Sequence, residues 1–555
     1  MPDALLFAVF GGLLGGLTIF IWWTFFSRAP KVERYAAIPV IILAMGATFL
    51  MLHPSIAKGM AGLMFLLYAI PIVSLALVAW AVASRSLTDI PRRVTMIASI
   101  LLACGGFALL RTNGISGDAA SDFAWRWSKT AEDRLLARPI DIPPAPPIAV
   151  KTPDAPPLEK PITAPAVKSA AANWPGFRGS SRNSSITGTS INTNWIASPP
   201  VQMWRQPIGP GWSSFAVSGD LLYTQEQRGE DEVVACYKVS TGKLMWKHAD
   251  AARFWESNAG AGPRATPTLH NGRAYTFGAT GIVNALDART GTVVWTRNAA
   301  TDSQTKIPGW GFSSSPLVMD DLVVIAAAGK LIAYDLATGE PRWSGPTDGG
   351  GGYSSPHPIT IDGVPQILLL NEPGIVSLAV ADGKKLWQHP LPPNGRVAQP
   401  ALTADGDLLV GEGEGKNLHR LAITHRPNGW AVEERWTSAA LKPYFNDLVV
   451  HKGHAYGFDG SILACIDLND GKRKWKGGRY GHGQMLLLAD QDLLLVLSEE
   501  GELALVSATA DQFTEVARVP AITGKTWNHP VLAGEVLLVR NGEEMAAFRI
   551  TPARR

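Results

Sequence analysis

Cysteine is scarce in this chain of 555 residues, which contains three. Cys104, Cys236 and Cys465 form neither a C-x-x-C pair nor the C-x-x-C-H motif of covalent haem attachment. A disulfide framework or a thiolate metal site needs more cysteines at closer spacing, so the sequence excludes both. Cys104 lies in an apolar run, where a small buried side chain is expected.

Charged residues are also few, at 17% against a typical share of about 25%. The 50 basic and 47 acidic residues leave a net charge of +3, so the chain has no overall field that would attract a polyanion. Composition therefore argues against nucleic-acid binding. Because 46% of the residues are hydrophobic, the chain is not disordered throughout, and the averages indicate one membrane-embedded part and one polar part.

Four apolar runs in the first 110 residues contain no Asp, Glu, Lys, Arg or His. Proton relays, ion pathways and bis-histidine haem sites therefore lack their residues there. A bilayer is crossed by roughly 17 to 25 apolar residues, so the runs predict a four-helix transmembrane anchor over residues 1–111. Overlapping G-x-x-x-G pairs in the first run predict close helix packing. The runs are Ala4 to Phe26, Ala36 to Leu52, Met60 to Ser84 and Val94 to Leu110.

Basic residues are concentrated in the first and third connections between these runs, whereas the second connection has Lys58 alone. The positive-inside rule then places the first and third connections in the cytoplasm and everything after Leu110 on the other side. This predicts a bacterial-type inner-membrane protein with the remainder of the chain in the periplasm. The basic residues are Arg28, Lys31 and Arg34 in the first connection and Arg85, Arg92 and Arg93 in the third.

Two segments connect the predicted anchor to the rest of the chain. Within residues 112–138, the stretch from Asp118 to Leu136 predicts a short amphipathic helix, either at the membrane interface or on an ordinary surface. Ten of the 27 residues from Pro139 to Pro165 are proline, so residues 139–171 are expected to form a semi-rigid polyproline linker. The helix would carry Phe123, Trp125 and Trp127.

A repeated phrase starts at Trp204: a strand, a turn with Thr-Gly or Asp-Gly, and a strand that ends in Trp. The turn glycines supply the positive φ that tight hairpins need. Successive end tryptophans are 39 to 49 residues apart, which is the length of a four-stranded propeller blade. They are Trp204, Trp246, Trp295, Trp343, Trp387, Trp436 and Trp475.

The last blade of this repeat is incomplete at the C-terminal end, where only HPVLAG, EVLLVR and MAAFRI remain. The segment VQMWRQ around Trp204 precedes the first complete blade and predicts the missing fourth strand. Closing the ring with strands from both ends removes the exposed sheet edge. The sequence thus predicts an all-β, eight-bladed propeller over residues 172–555. A β-solenoid is the structural rival, but its repeats would be shorter.

The repeat phrase resembles that of pyrroloquinoline-quinone (PQQ)-type, quinoprotein alcohol dehydrogenase-like propellers, from about Pro199 to Ile550. The preceding NWPGFRGSSRNSS is similar to the segment that opens the catalytic domain in that superfamily. One branch is made of quinoprotein dehydrogenases, and another is the non-enzymatic propeller subunit of the outer-membrane protein assembly machinery. With its helices, the chain looks most like membrane-bound quinoprotein glucose dehydrogenases, but it has four predicted spans instead of five and lacks their larger blade insertions. The resemblance implies the fold and leaves the function open.

The residues that enter each innermost strand are expected to ring the mouth of the central funnel. Aromatic faces there would stack on a flat molecule and arginines would bind carboxylates, which suits a planar tricarboxylate such as PQQ. Alternatively, the aromatic side chains cap the core and the arginines pair with Asp. The candidate ligand-binding residues are Trp212, Arg264, Trp310, Tyr353, Arg396 and Trp527.

The resemblance to quinoprotein dehydrogenases implies a divalent metal beside the quinone and a carboxylate or histidine base. Oxygen ligands for calcium would come from Glu256 and Asn258, and from Asn446 and Asp447. The base would be Asp447, with His482 behind it. Each of these is also a common type of surface or turn residue. Walker, Rossmann, H-E-x-x-H and G-x-S-x-G motifs do not occur in a convincing context.

Three functions remain open at this point. The compact blades favour a membrane-anchored periplasmic propeller that binds a small planar or anionic ligand, or a periplasmic protein partner, at its funnel without turnover. The anchor and the aromatic and arginine-rich funnel favour a PQQ- and calcium-dependent dehydrogenase of sugars or alcohols that passes electrons to membrane quinone. A scaffold in outer-membrane protein assembly is a weaker alternative, since the linker would have to reach across the compartment.

Overall fold

The structure is a computed structural model that describes residues 2–138, 173–345 and 350–553, with side chains from residue 11 onward. The linker predicted over residues 139–171 lies outside the described residues. The chain divides into two compact units. The first comprises Met1–Thr130 with Trp255–Gly260, and the second comprises Ala131–Phe254 with Ala261–Arg555.

The first unit is built on apolar helices. Among the residues described, three helices are long and apolar enough to cross a membrane, namely Lys31–Met51, Met64–Ala83 and Asp89–Leu109, and Gly11–Phe26 is a shorter apolar stretch. These helices are consistent with a membrane anchor. The elements are α1 (Pro2–Ile21) with a π-helical turn (Trp22–Phe26), α2 (Lys31–Met51), α3 (Pro54–Ala57), a 3-10 turn (Gly59–Gly62), α4 (Met64–Ala83), α5 (Asp89–Gly105) and a second 3-10 turn (Gly106–Leu109).

Glycines allow α1 to approach α4 closely. A Cβ atom on Gly16 would lie 2.7 Å from Cγ2 of Ile70, and one on Gly12 would lie 3.2 Å from Cγ of Pro71. A larger side chain at either position would therefore push the helices apart. The predicted close packing is confirmed for these two glycines.

The chain after α5 forms a β-hairpin, where the sequence predicted part of an amphipathic helix. The strands Leu110–Ile115 and Ser121–Trp125 pair antiparallel, and helix is confined to α6 (Ala131–Leu136). The helix predicted over Asp118 to Leu136 is thus wrong for most of its length. Ala119 has a positive φ of 60°, which a right-handed helix does not accommodate.

The second unit contains the eight-bladed propeller that the repeat predicts. Each blade is a four-stranded antiparallel sheet with its strands in chain order, except that the last blade is completed from the N-terminal side. The first strands of neighbouring blades lie against one another, which places them innermost. The end tryptophans stand on the fourth, outermost strands. Blade 2 is followed by a short helix, α7 (Ala299–Ser303).

The strands of blades 1 to 4 are Ala216–Ser218, Leu221–Arg228, Asp231–Lys238 and Leu244–Asp250; Thr268–His270, Arg273–Phe277, Ile282–Asp287 and Val293–Asn298; Leu317–Met319, Leu322–Ala327, Lys330–Asp335 and Pro341–Gly345; His357–Ile361, Val364–Asn371, Gly374–Ala379 and Lys385–Pro390. Those of blades 5 to 8 are Ala401–Leu402, Leu408–Gly411, Leu418–Arg426 and Gly429–Ser438; Val449–His451, His454–Asp459, Ile462–Asp467 and Arg473–Arg479; Gln484–Leu488, Leu493–Leu497, Glu502–Ser507 and Glu515–Pro520; Val531–Ala533, Val536–Arg540, Glu544–Arg549 and Val201–Pro207. A short pair, Trp255–Glu256 and Gly260–Ala261, lies between blades 1 and 2.

The ring is closed by strands from both ends of the propeller sequence. Val201–Pro207 pairs antiparallel with Glu544–Arg549, with Trp204 opposite Ala547. The edge of Glu544–Arg549 is therefore covered by Val201–Pro207 and cannot pair with another chain. This confirms the predicted closure.

The repeat conserves its Trp and Gly positions because the two touch across blade boundaries. The indole of Trp246 donates to the carbonyl oxygen of Ala288 in the next blade at 3.1 Å, and a Cβ on Gly291 in that turn would lie 2.5 Å from the ring. The turn glycine thus serves both positive φ and close packing. The contact between blades 4 and 5 differs. Gly429, in the longer turn of blade 5, faces open space. The indole of Trp387 in blade 4 donates instead to Gln366 of the same blade.

Residues 174–186, here called the axial segment, fill the centre of the ring. Trp174 exchanges two backbone hydrogen bonds with Val217 of blade 1, and Arg182 donates to the carbonyl oxygens of Ser315 and Pro316 in blade 3. Ser185–Ile186 adds a parallel strand to the inner edge of blade 7. Further contacts reach blades 2, 6 and 8 through Pro175, Arg178 and Phe177.

Candidate functional site

The loops that enter the innermost strands bring four of the predicted ligand-binding residues together, so that each contacts the next. Nε of Arg264 donates to the carbonyl oxygen of Trp310 at 3.1 Å, and the Trp310 and Tyr353 rings lie 4.9 Å apart between their centres. The N–H of Tyr353 donates to the carbonyl oxygen of Arg396 at 2.9 Å. These residues come from blades 2, 3, 4 and 5 in turn, so they form a continuous arc of the mouth.

A second set of aromatic side chains, here called the aromatic cluster, connects blades 6, 7, 8 and 1. The ring of Trp527 lies 4.8 Å from that of Trp212 and 4.7 Å from that of Phe445. His482 stacks on Phe445 at 5.4 Å, with Tyr444 at its edge at 5.9 Å. The rings of Trp212, Tyr444, Phe445 and Trp527 are half-buried, so part of this apolar surface faces solvent.

Charged groups fix and flank the aromatic cluster. The buried carboxylate of Glu499 accepts the indole N–H of Trp527 at 2.8 Å and the backbone N–H of His482 at 3.0 Å. Nζ of Lys525 lies 4.6 Å from the centre of the Trp527 ring. On the other side, burial and the carboxylate of Glu414 raise the pKa of Tyr444. The aromatic cluster therefore lies beside the cation of Lys525 and the exposed acid of Glu414.

The two arginines of the mouth are directed at the protein backbone. Nη1 of Arg264 donates to Gly262 at 2.5 Å, and its guanidinium lies 4.9 Å from the centre of the Phe254 ring. Arg396 is 1% exposed and donates to the carbonyl oxygens of Asn371 and Glu372 at 2.5 and 2.6 Å. Both side chains therefore stiffen the loops that carry them.

Asp447 occupies a position that connects neighbouring blades. In blades 2 and 3 the equivalent residues are Thr266 and Ser315, whose hydroxyl oxygens accept the N–H groups of Ser214 and Thr266, both at 3.0 Å. Asp447 Oδ1 accepts the N–H of Gln399 from the preceding blade at 2.6 Å. Its carboxylate thus takes the place of a structural hydroxyl. The role of Asp447 as a base stays a prediction.

The second oxygen of Asp447 faces the axial segment. Oδ2 lies 3.4 Å from Nε of Arg178 and 3.3 Å from Nε2 of His529, and all three side chains are buried. Burial alone would raise the pKa of Asp447, but Arg178 and His529 outweigh it and hold that pKa below its usual range. Nearby, burial together with Arg178 and Arg182 lowers the pKa of His357 to about 3.

The predicted metal ligands are engaged with backbone groups. The carboxylate of Glu256 accepts the N–H groups of Asn258 and Ala259 at 2.7 and 2.5 Å, within the first unit. In the second unit, Oδ1 of Asn446 accepts the N–H of Tyr444 at 3.3 Å. Across the described ranges, no three His, Cys, Asp or Glu side chains are grouped as a metal site.

Comparison with known proteins places this architecture in a family. A family model described as Outer membrane protein assembly factor BamB, with PQQ-type repeats, matches residues 200–357 and 371–555. These ranges cover more than half of the chain. The chain belongs to this family.

Relatives of the BamB family chain fall in two groups. The BamB proteins of Burkholderia pseudomallei (strain K96243) and Yersinia pestis are 25% and 23% identical over 286 and 324 residues, covering 47% and 56% of this chain and 68% and 70% of theirs. The quinohemoprotein alcohol dehydrogenase of Comamonas testosteroni is 26% identical over 266 residues. That match covers 41% of this chain and only 34% of the dehydrogenase, about a third of its length.

A solved structure shows the same fold. The crystal structure of the Comamonas testosteroni quinohemoprotein alcohol dehydrogenase superimposes with a TM-score of 0.52 at 14% identity, and the match covers 69% of this chain and 81% of that one. At this identity the likeness supports the propeller fold and carries nothing about chemistry.

The side chains of this BamB family member do not fit PQQ held with calcium. A tricarboxylate needs cationic groups directed at it, and Arg264 and Arg396 instead donate to backbone carbonyl oxygens. Calcium needs six to eight oxygen ligands, roughly, gathered around one point. At the mouth, Asn446 is 2% exposed with its amide oxygen engaged by Tyr444, and Asp447 is 4% exposed with its oxygens engaged by Gln399, Arg178 and His529.

Sequence reasoning placed the mouth aromatic residues but missed the axial segment. Arg178 and Arg182 stand in the NWPGFRGSSRNSS phrase, which resembles an opening segment but has no periodicity that would show where it packs. The two arginines were the available signal for a structural role of this segment, because an arginine that is buried in a fold is almost always paired.

Proposed function

We propose that this protein is a membrane-anchored binding module whose propeller mouth recognises a segment of a periplasmic protein partner. The proposal rests on which side chains of the mouth are exposed to solvent and which are buried. The aromatic rings of Trp212, Trp310 and Trp527 are half-buried, whereas the predicted base Asp447 and the His482 behind it are 4% and 8% exposed. The surface offered to a ligand is thus aromatic and suited to recognition.

The chemistry of the mouth favours a polypeptide segment with apolar or aromatic side chains. Trp and Tyr side chains are enriched among the residues that anchor protein interfaces. Lys525 stands over the rings of Trp212 and Trp527, which holds these aromatic faces in place at the mouth. Membership of a family described by an assembly factor supports a protein partner, and a role in outer-membrane protein assembly is the narrower form of the proposal.

The location follows from the charges of the helix connections. Arg28, Lys31 and Arg34 precede or begin α2, and Arg92 and Arg93 lie in the first turn of α5. The positive-inside rule places these helix ends in the cytoplasm, which puts the propeller in the periplasm. We propose the inner membrane as the site of the anchor.

Site-specific photo-crosslinking in cells tests this proposal. A photoreactive amino acid would replace Ile307, which is 48% exposed in the loop that carries Trp310, or Val294, which is 43% exposed on the outermost strand of blade 2. We expect a discrete protein adduct from position 307 and none from position 294, because recognition is confined to the mouth. Equal adducts from both positions, or none from position 307, would contradict it. An adduct with a barrel-assembly protein would support the narrower role.

A further inference from the structure

The β-hairpin that follows α5 lies at the level where the apolar helices end. The 3-10 turn Gly106–Leu109 extends α5, and the first strand begins at the next residue, Leu110. Leu110 is the cross-strand partner of Trp125. Paired residues in an antiparallel sheet have Cα atoms about 4.5 to 5.5 Å apart. The backbone of Trp125 is therefore within one strand spacing of the end of an apolar helix.

Two sets of contacts fix the hairpin to these helix ends. The ring of Phe123 packs edge-on against Tyr68 of α4 at 5.1 Å, and the Tyr68 hydroxyl donates to Oγ of Ser121 at 3.1 Å. Nη1 of Arg126 donates to the carbonyl oxygens of Met51 and Ala108 at 3.2 and 3.4 Å. These carbonyls belong to the last turns of α2 and of the α5 extension, where a cation is favourable. The hairpin thus covers the side of the helices where α2 and α5 end and α4 begins.

The side chains on either side of Arg126 remain exposed. Trp125 and Trp127 are 54% and 68% exposed, and their rings stack at 5.1 Å with 12° between their planes. Apolar side chains of the helix ends continue this surface, since Leu50 is 88% exposed and Leu109 is 49% exposed. An exposed indole pair beside helix ends with exposed leucines matches the chemistry of a bilayer interface, where the apolar ring and the polar N–H each find a suitable neighbour.

We propose that Trp125 and Trp127 form an interfacial anchor that binds the headgroup and glycerol region of the phospholipid leaflet at this end of the helices. The inference rests on the proposed membrane anchoring of the first unit and adds the depth and the residues of a second contact with lipid. Tryptophan prefers this layer to water and to the hydrocarbon interior. The pair would oppose sliding or tilting of α2 and α5 along the bilayer normal.

The test uses a polarity-sensitive fluorophore on single introduced cysteines in the full chain, in lipid vesicles. The three native cysteines are buried and free, so labelling would be confined to the new position. Ser128→Cys reports the proposed interface, because Ser128 is exposed, adjoins Trp127 and leaves both indoles of the proposed anchor in place. Ala120→Cys is the matched control, since it lies in the turn at the opposite end of the same hairpin and is also exposed.

We expect the label at position 128 to be quenched at least twofold more strongly by a nitroxide on the lipid headgroup than the label at position 120. Flotation of the same vesicles reports the anchor independently. If the chain floats and the two labels are quenched equally, the interfacial anchor is wrong and the membrane anchoring stands. If the chain does not float, both are wrong.

Discussion

Replacing Arg178 by alanine is expected to lower the free energy of unfolding by about 3 to 5 kcal/mol, the cost of removing one partner of a buried ion pair. Arg178 and Asp447 have side chains that are 1% and 4% exposed. The substitution would leave the Asp447 carboxylate buried with His529 as its remaining side-chain partner. It would also remove the hydrogen bond from Arg178 to the carbonyl oxygen of Leu448 in blade 6. Urea denaturation of the full chain in detergent measures the loss.

An exposed arginine provides the control for this prediction. Arg342 is 47% exposed and pairs with Asp321 and Asp335 at 3.2 and 3.0 Å, so Arg342→Ala should cost less than about 1 kcal/mol. The double variant Arg178→Met/Asp447→Leu should recover much of the loss, because it removes both buried charges. A loss below about 1 kcal/mol for Arg178→Ala would show that the axial segment does not hold the ring together.

Replacing Trp527 by alanine is expected to reduce the adduct formed from position 307 at least tenfold. Trp527 contacts Trp212, Phe445 and Lys525, and an aromatic side chain at the centre of such a surface typically contributes about 2 kcal/mol or more to binding. Trp527→Phe should keep most of the adduct, since it retains a ring and loses only the hydrogen bond to Glu499. Crosslinking yield at equal protein levels measures both effects.

The control for the mouth is an aromatic residue outside it. Trp430 lies on the outermost strand of blade 5 and stacks on His425 at 4.2 Å. Trp430→Ala should leave the adduct from position 307 unchanged. An equal reduction by Trp430→Ala and Trp527→Ala would indicate general damage to the propeller, and no reduction by Trp527→Ala would remove the aromatic cluster from the binding surface.

The propeller could be predicted from the sequence because the contacts between neighbouring blades require the same residue types at the same positions of each repeat. The end tryptophans recur since each packs on the next blade, as Trp246 does on Gly291, and spacing alone therefore gives the blade length. The closing strand around Trp204 was predictable for a related reason. An open four-stranded edge is unfavourable, and only one unpaired strand was left to cover it.

The parts that sequence reasoning missed depend on long-range contacts without periodicity. The helix predicted from Asp118 failed because the Leu110 to Trp125 pairing and the Tyr68 contact with Phe123 override the local amphipathic pattern. The orientation of Arg264 and Arg396 toward backbone carbonyls was also not predictable, because either arginine has the same sequence signature whether it binds a carboxylate or a loop. Their positions at the mouth were predicted, but their partners were not.

The proposal that the mouth recognises a protein partner is tested against a PQQ-dependent dehydrogenase most directly by a titration of the full chain with PQQ and calcium. Absorbance spectra and dye reduction with sugars and alcohols would be recorded during the titration. The account predicts no stoichiometric binding at micromolar PQQ and no substrate-dependent reduction, because Arg264 and Arg396 are engaged by the backbone. Tight stoichiometric binding with sugar- or alcohol-dependent dye reduction would contradict it and identify a dehydrogenase.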